Sequence, residues 1–197
     1  MSSTRTRITE EADALIYRMG FATTSFGDIA DEIGISRGNF YHHFKTKDAI
    51  LAAVIERRLA ATRALLTLWE SEAPGPAGRI GRFIDILRTN RSKIMQDGCP
   101  VGTLCSELAK LDHPLLDQAA EAFTLFRVWL SAQFSALGHP DADCLALHLL
   151  ARTQGIAVLL HSFRDPAFLE RECATLHHWC DTLAPPPREN TACSSSP

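Results

Sequence analysis

Residues 24–47, TSFGDIADEIGISRGNFYHHFKTK, constrain this chain more than any other stretch. Two short helical patterns flank a break at Gly34. In the first, Ile29, Ala30 and Ile33 recur on one face. Ser25 or Thr24 stands ahead as an N-cap, and with Ser25 as the cap Asp28 completes a shortened capping box. Gly34 ends that helix where a positive φ is needed. Ser36 caps the second pattern, 37–44. This is the grammar of a helix-turn-helix, whose second helix enters a DNA major groove.

The second helix has side chains suited to that task. Arg37, Asn39, Tyr41, His42, His43, Lys45 and Lys47 all carry hydrogen-bond donors, and no acidic residue occurs from 34 to 47. Phe40 and Phe44 are four apart and anchor one face, leaving Arg37, Asn39, Tyr41 and His42 to point elsewhere. Gly38 is poor for helix stability but lets a backbone approach DNA closely. The net charge of −3 argues against a polyanion partner until its distribution is considered. Residues 1–47 hold six basic and six acidic side chains, so the whole deficit lies in the remainder. A basic edge on an acidic body orients a protein on DNA and makes binding fall with salt.

The stretch GISRGNFYHHFKTKDAIL resembles the recognition-helix signature of TetR/AcrR-family transcriptional repressors, and GFATTSFGDIADEIG resembles the segment before it. The resemblance covers about the first quarter of the chain. Gly27 departs from it, because the family tends to carry a polar or charged residue there. That departure weakens the second helix and removes a phosphate contact.

The periodicity continues as helices only. A first helix is expected over 9–19, after a polar, frayed segment 1–7 from which Arg5 and Arg7 can reach phosphates. Further helices are expected over 47–70, 79–96, 100–111, 114–137, 141–163 and 166–183, separated by Pro/Gly breaks. The expected fold is all-α: a three-helix DNA-binding domain (1–47), a larger effector-binding and dimerisation domain (48–184) and a disordered tail (185–197), about nine helices in all. No uninterrupted apolar run reaches the roughly 18 residues of a membrane span, and the N-terminus does not read as a signal peptide. The six cysteines are sparse and irregularly spaced, so reduced thiols in the cytoplasm are the default.

The family resemblance extends to this helix order, and it implies a homodimer whose last two long helices, 141–163 and 167–183, pair in a four-helix bundle. The residues point the same way. The segment 141–163 is apolar around more of its circumference than one core face needs, and Gly155 permits a close crossing. Leu169, Cys173, Leu176, Cys180 and Leu183 form a seam with alternating spacings of four and three. A two-fold dimer sets two recognition helices about 34–36 Å apart, to read a near-palindrome in double-stranded DNA.

Candidate sites follow. Arg37 and Asn39 are base-edge candidates, since Arg binds guanine and Asn binds adenine bidentately. Thr24, Ser25, Tyr41, His42 and Lys47 are assigned to phosphates, with Gly38 and Lys45 in the same surface; Tyr41 and His43 have packing within the head as the alternative. The resemblance implies an effector cavity in the body, with Trp69, Met95, Leu104, Leu108, Phe123, Phe126, Trp129 and His148 as candidate lining, and core packing is the alternative for each. With no dense charge cluster in the body, a largely apolar effector is favoured.

Cys99 precedes a helix that opens with Pro100, where a thiol feels the positive helix end. It is a candidate oxidant or electrophile sensor with Cys105 nearby, or simply a small residue in a turn. In one intact helix the two cannot bridge. Cys173, His177 and Cys180 have ligand-like spacing, but both cysteines fall on the apolar seam, so no metal or other cofactor is expected. No nucleophile motif, phosphate loop or paired carboxylate suggests an enzyme, and Glu107 and Asp112 read as surface residues. The expected function is a DNA-binding repressor released by a small-molecule effector or by cysteine modification. The alternative is a nucleoid-associated or structural DNA-binding protein with a filled core and no effector.

Overall fold

Ser3 and Thr46 each place a side-chain oxygen where a helix leaves its first N–H groups unpaired, and ten helices occur among the described residues. The structure, a computed structural model, describes residues 3–183. The helices are α1 (Thr4–Met19), α2 (Phe26–Ile33), α3 (Arg37–His43), α4 (Lys47–Glu72), α5 (Gly75–Thr89), α6 (Arg91–Asp97), α7 (Pro100–Lys110), α8 (Leu116–Ala136), α9 (Ala142–Phe163) and α10 (Pro166–Leu183). No strand occurs among the described residues. The all-α expectation holds; the tail assigned to 185–197 lies outside the described residues.

Three local expectations are corrected. α1 begins at Thr4, inside the segment expected to fray. Ser3 Oγ accepts the Thr6 N–H at 3.2 Å, and Ile8 is fully buried, which pins the first turn. The single helix expected over 79–96 is two. Asn90 closes α5 and opens α6, and its side-chain amide donates to the Ile86 carbonyl at 3.0 Å. A short amide that bonds its own backbone competes with helix continuation. Of the seam Leu169, Cys173, Leu176, Cys180 and Leu183, the first three have no surface left for a partner, while Cys180 and Leu183 are half-buried. α10 lies on α5 of the same chain, and Leu169, Cys173 and Leu176 are buried in the protomer's own core.

Two apolar clusters organise the packing. One joins α1–α3 to Ile50, Leu51, Val54, Ile55 and Leu59 of α4, and continues into Leu104 and Leu108 of α7 and Ala119 and Ala122 of α8. The other fills the body between α4, α5, α6, α8, α9 and α10. α4, at 26 residues about 39 Å long, serves both clusters. The body helix α9 is long and apolar enough by composition alone to cross a membrane, although Asp143 and Arg152 interrupt its run. In this fold its buried face packs on α5, α6, α8 and α10.

Candidate nucleic-acid interface

α2 is fixed at both ends by its own residues. Ser25 Oγ accepts the Asp28 N–H at 3.2 Å, and the Asp28 carboxylate accepts the Ser25 N–H at 2.8 Å. This is the capping box read from the sequence, with Ser25 as the cap. The Ser25 hydroxyl, then its N–H, hold the Asp28 carboxyl below its usual range. At the other end Gly34 adopts φ 67°, ψ 37°, and the Ile35 N–H reaches back to the Ala30 carbonyl at 3.1 Å.

α3 then starts on Ser36, whose Oγ accepts the Asn39 N–H at 3.3 Å. Phe40 and Phe44 are both buried, each contributing about 2–3 kcal/mol by area. They hold the inner face, so Arg37, Gly38, Asn39, Tyr41, His42 and Lys45 are exposed. Tyr41 is 45% exposed and stands edge-on to Phe26, with ring centroids 5.4 Å apart. His43 is half-buried, and nothing lies within 4 Å of a Cβ built on Gly38. A cleft of about 230 Å³ runs between the start of α2 and α3, lined by Ser25, Phe26, Gly27, Arg37, Phe40 and Tyr41.

Several cations and hydroxyls do other work. Thr24 is 1% exposed and donates its hydroxyl to the Gly20 carbonyl at 2.7 Å, so its side chain is turned away from any phosphate. Arg5 lies 4.1 Å over the Phe44 ring and donates to the His43 carbonyl at 2.8 Å. Arg7 donates to the Ile33 carbonyl at 3.4 Å. Each thus sits at a helix C-terminus, where a cation offsets the unpaired carbonyls, and neither is the free phosphate arm expected. Lys47 donates to the Ala22 carbonyl at 2.9 Å and covers the Phe21 ring. Burial pushes its ammonium down from its usual value, and two of its three protons remain for other acceptors.

Glu107, read as a surface residue, is a half-buried contact between body and head. Its two carboxylate oxygens accept the N–H groups of Phe21 and Ala22, both at 2.8 Å. Sequence gave no local signal for this, because the partners lie 86 and 85 residues apart. Asp112, by contrast, is exposed.

Five of the eight effector-lining candidates, Trp69, Met95, Phe123, Phe126 and Trp129, share the body core, and the other three lie elsewhere. Trp69 and Trp129 pack on each other at 5.6 Å, and the Trp129 indole donates to Glu70 at 2.9 Å. Phe126 packs on Phe83, and Phe123 and Met95 fill the edges of the same core. Leu104 and Leu108 belong to the other cluster. His148 is exposed and its ring lies tilted beside Trp179, with centroids 5.1 Å apart. A void of about 10 Å³ between α4, α7 and α8, lined by Arg58, Leu59 and Leu104 among others, is too small for an organic effector.

Cys99 caps α7, its Sγ accepting the Gly102 N–H at 3.5 Å. Cys105 is half-buried, and burial raises its thiol pKa. Among the described residues no group of three or more His, Cys, Asp or Glu is arranged to hold a metal; His177 instead contacts Asp85 at 3.0 Å.

Comparison with known proteins then decides the family. Residues 8–54, which contain both reading helices, match the family described as bacterial regulatory proteins, tetR family. An HTH-type transcriptional regulator from the lacX 3' region of Lactococcus lactis is 29% identical over 175 residues, covering 86% of this chain and 89% of that protein. A TetR transcriptional regulator from Legionella pneumophila superposes with a TM-score of 0.80 at 26% identity, covering 94% of this chain and 99% of the other. This chain belongs to the TetR family. An HTH-type transcriptional repressor of Mycobacterium tuberculosis is also similar, 36% identical over 97 residues, 49% of each chain. The TetR-family reading makes the 24–47 segment a DNA-binding helix-turn-helix and the protein a transcriptional regulator.

Proposed function

We propose that this TetR-family regulator is a homodimeric repressor that holds a near-palindromic operator through 24–47 and releases it when a small molecule binds the body. The observation that carries this is α3 itself: an outward face without a carboxylate, built on two buried phenylalanines. Asn39, on the exposed face, addresses base edges. Arg37 lies back over the start of α2 and, with Ser25, Tyr41, His42, Lys45 and the free protons of Lys47, holds phosphates. Residues 1–47 read DNA, and 48–184 carry dimerisation and effector response in the cytoplasm.

The dimer is supported by α9. Leu147, Val158, Leu159 and Phe163 are exposed along it, Val158 at 62% and Phe163 at 65%, and Gly155 has open space above it. Such a stripe is more apolar than a solvent face requires. A two-fold contact there, not the α10 seam, joins the copies.

Release requires that the effector favour a conformation whose heads are misplaced for DNA. Thiol chemistry at Cys99 is a second route, because the cap it supplies to α7 lies at the junction with the head. A second reading, a DNA-binding protein without an effector, is favoured by one observation, the aromatic pairs Trp69–Trp129 and Phe83–Phe126 packed in the body core.

Selection of duplexes from a random pool, followed by genome-wide mapping, tests these readings. The repressor reading expects a two-half-site motif at few genomic positions, with neighbouring genes indicating the effector class. Many sites without a shared motif support the second reading. A purified chain indifferent to DNA at low salt overturns both.

A further inference from the structure

The turn joining α1 to α2 is gripped by the body at a single carboxylate. Glu107 of α7 accepts both the Phe21 and Ala22 N–H groups at 2.8 Å. Gly20, at φ +90°, leaves room for that carboxylate: a Cβ there would stand 3.1 Å and 3.2 Å from its oxygens. His113, in the turn after α7, stands edge-on to Phe21 at 5.1 Å and lies 3.4 Å from the Asp48 carboxylate. Lys47 closes the other side through the Ala22 carbonyl. Two further bonds tie α1 to the start of α7. The Tyr17 hydroxyl donates to the Gly98 carbonyl at 2.6 Å, and Arg58 joins Asp13 to the Pro100 carbonyl at 2.7 Å on each side.

A carboxylate that accepts two consecutive N–H groups fixes the turn in two directions at once, with charge-assisted bonds. We propose that Glu107 is a positioning residue that sets the angle of the reading head on the body, and through it the half-site spacing the dimer accepts. This rests on the homodimer reading above. Glu107 touches no DNA itself. It acts through Phe21 and Ala22 on the α1–α2 turn, which carries the Ser25 cap four residues beyond Phe21. Neighbouring base pairs differ by about 3.4 Å along the duplex, so an angular constraint on two heads is read as a preference for one separation.

The test uses the full chain and the operator selected by the wild type. Binding is measured to duplexes whose half-sites are moved one or two base pairs closer or farther apart, and to a duplex with one half-site. Wild type is expected to lose about tenfold or more per displaced base pair. Glu107→Ala should compress that penalty to about threefold or less, with half-site affinity and dimer mass unchanged. Glu107→Gln, which retains one acceptor oxygen, should fall between. Glu107→Gln also serves as the test if Glu107→Ala does not fold. Spacing ratios equal to wild type in these variants overturn the proposal. An equal loss on every duplex, half-site included, also overturns it, because that marks a structural role. A wild-type chain that is monomeric on DNA overturns the dimer reading itself, and the mass measurement distinguishes that failure.

Discussion

The guanidinium of Arg37 lies over the backbone of Gly27. A Cβ built on Gly27 would stand 3.7 Å from Arg37 Nη2 and 3.5 Å from the Ser25 hydroxyl oxygen. A methyl at position 27 would make only ordinary contacts with the arginine, so it is a longer side chain there that would compete for this space. The charge missing from α2 is supplied from α3.

A carboxylate at position 27 should therefore neutralise the arginine and repel phosphate. Gly27→Glu is expected to weaken operator binding by about tenfold or more with little change in thermal stability. Gly27→Ala meets only ordinary contacts, so it should bind normally and gain about 0.5–1 kcal/mol in denaturant unfolding. Fluorescence anisotropy beside a melting curve separates the two effects.

The Asp13–Arg58 pair offers a stability test. Their side chains are 16% and 14% exposed, and the Arg58 Nε donates to Asp13 at 2.7 Å. Asp13→Asn leaves a largely buried guanidinium under-compensated and should cost about 2–4 kcal/mol. Adding Arg58→Met should recover part of that loss. Urea unfolding of both single variants and the double variant checks it, and additive losses would mean the pair is not coupled.

Acid should loosen α2. The Asp28 carboxyl is held below its usual value of 3.8, so its contribution is complete above that pH and is lost as pH falls through the folded-state value. Asp28→Asn should be less stable than wild type at pH 7, and the difference should shrink toward zero as pH falls well below 3.8. A gap that stays constant across urea titrations at both pH values would contradict the capping account.

Thiol reactivity should follow burial. Burial pushes Cys173 up to about 11 and Cys180 up to about 12, while Cys144 is exposed on α9. Brief maleimide labelling at pH 7, read by peptide mass spectrometry, should mark Cys144 far ahead of Cys173 and Cys180, with the latter two reacting on unfolding. Prompt labelling of Cys180 would show that α10 opens readily.

Charge on the α9 stripe should separate the copies. Val158→Arg is expected to give monomers in sedimentation with unchanged helical content, and to weaken binding to the two-half-site operator far more than to one half-site. A dimer that survives this change must use another face.

The sequence revealed what was local. The Ser25–Asp28 box, Gly34, the Phe40 and Phe44 anchors and the extent of α4 each arise within a few residues, where spacing and backbone chemistry decide. It did not reveal the uses of Arg5, Arg7, Thr24 and Glu107. Those depend on which helix end or loop comes to lie beside them, and no periodicity encodes that. The α10 seam shows the limit from another side. A repeat of apolar residues states that a face is covered, but not whether the cover is α5 of the same chain or a second copy.

The tight interlocking of Trp69, Phe83, Phe126 and Trp129 has a kinetic consequence for any inducer. Under the repressor reading proposed above, an inducer that enters among these rings needs a rare excursion of the helices to make room for it. If the receptive form is about 1% of the population, apparent affinity is about a hundredfold weaker than the intrinsic value. Arrival is then gated by breathing rather than diffusion, so derepression would lag behind the chemical signal and persist after it has gone.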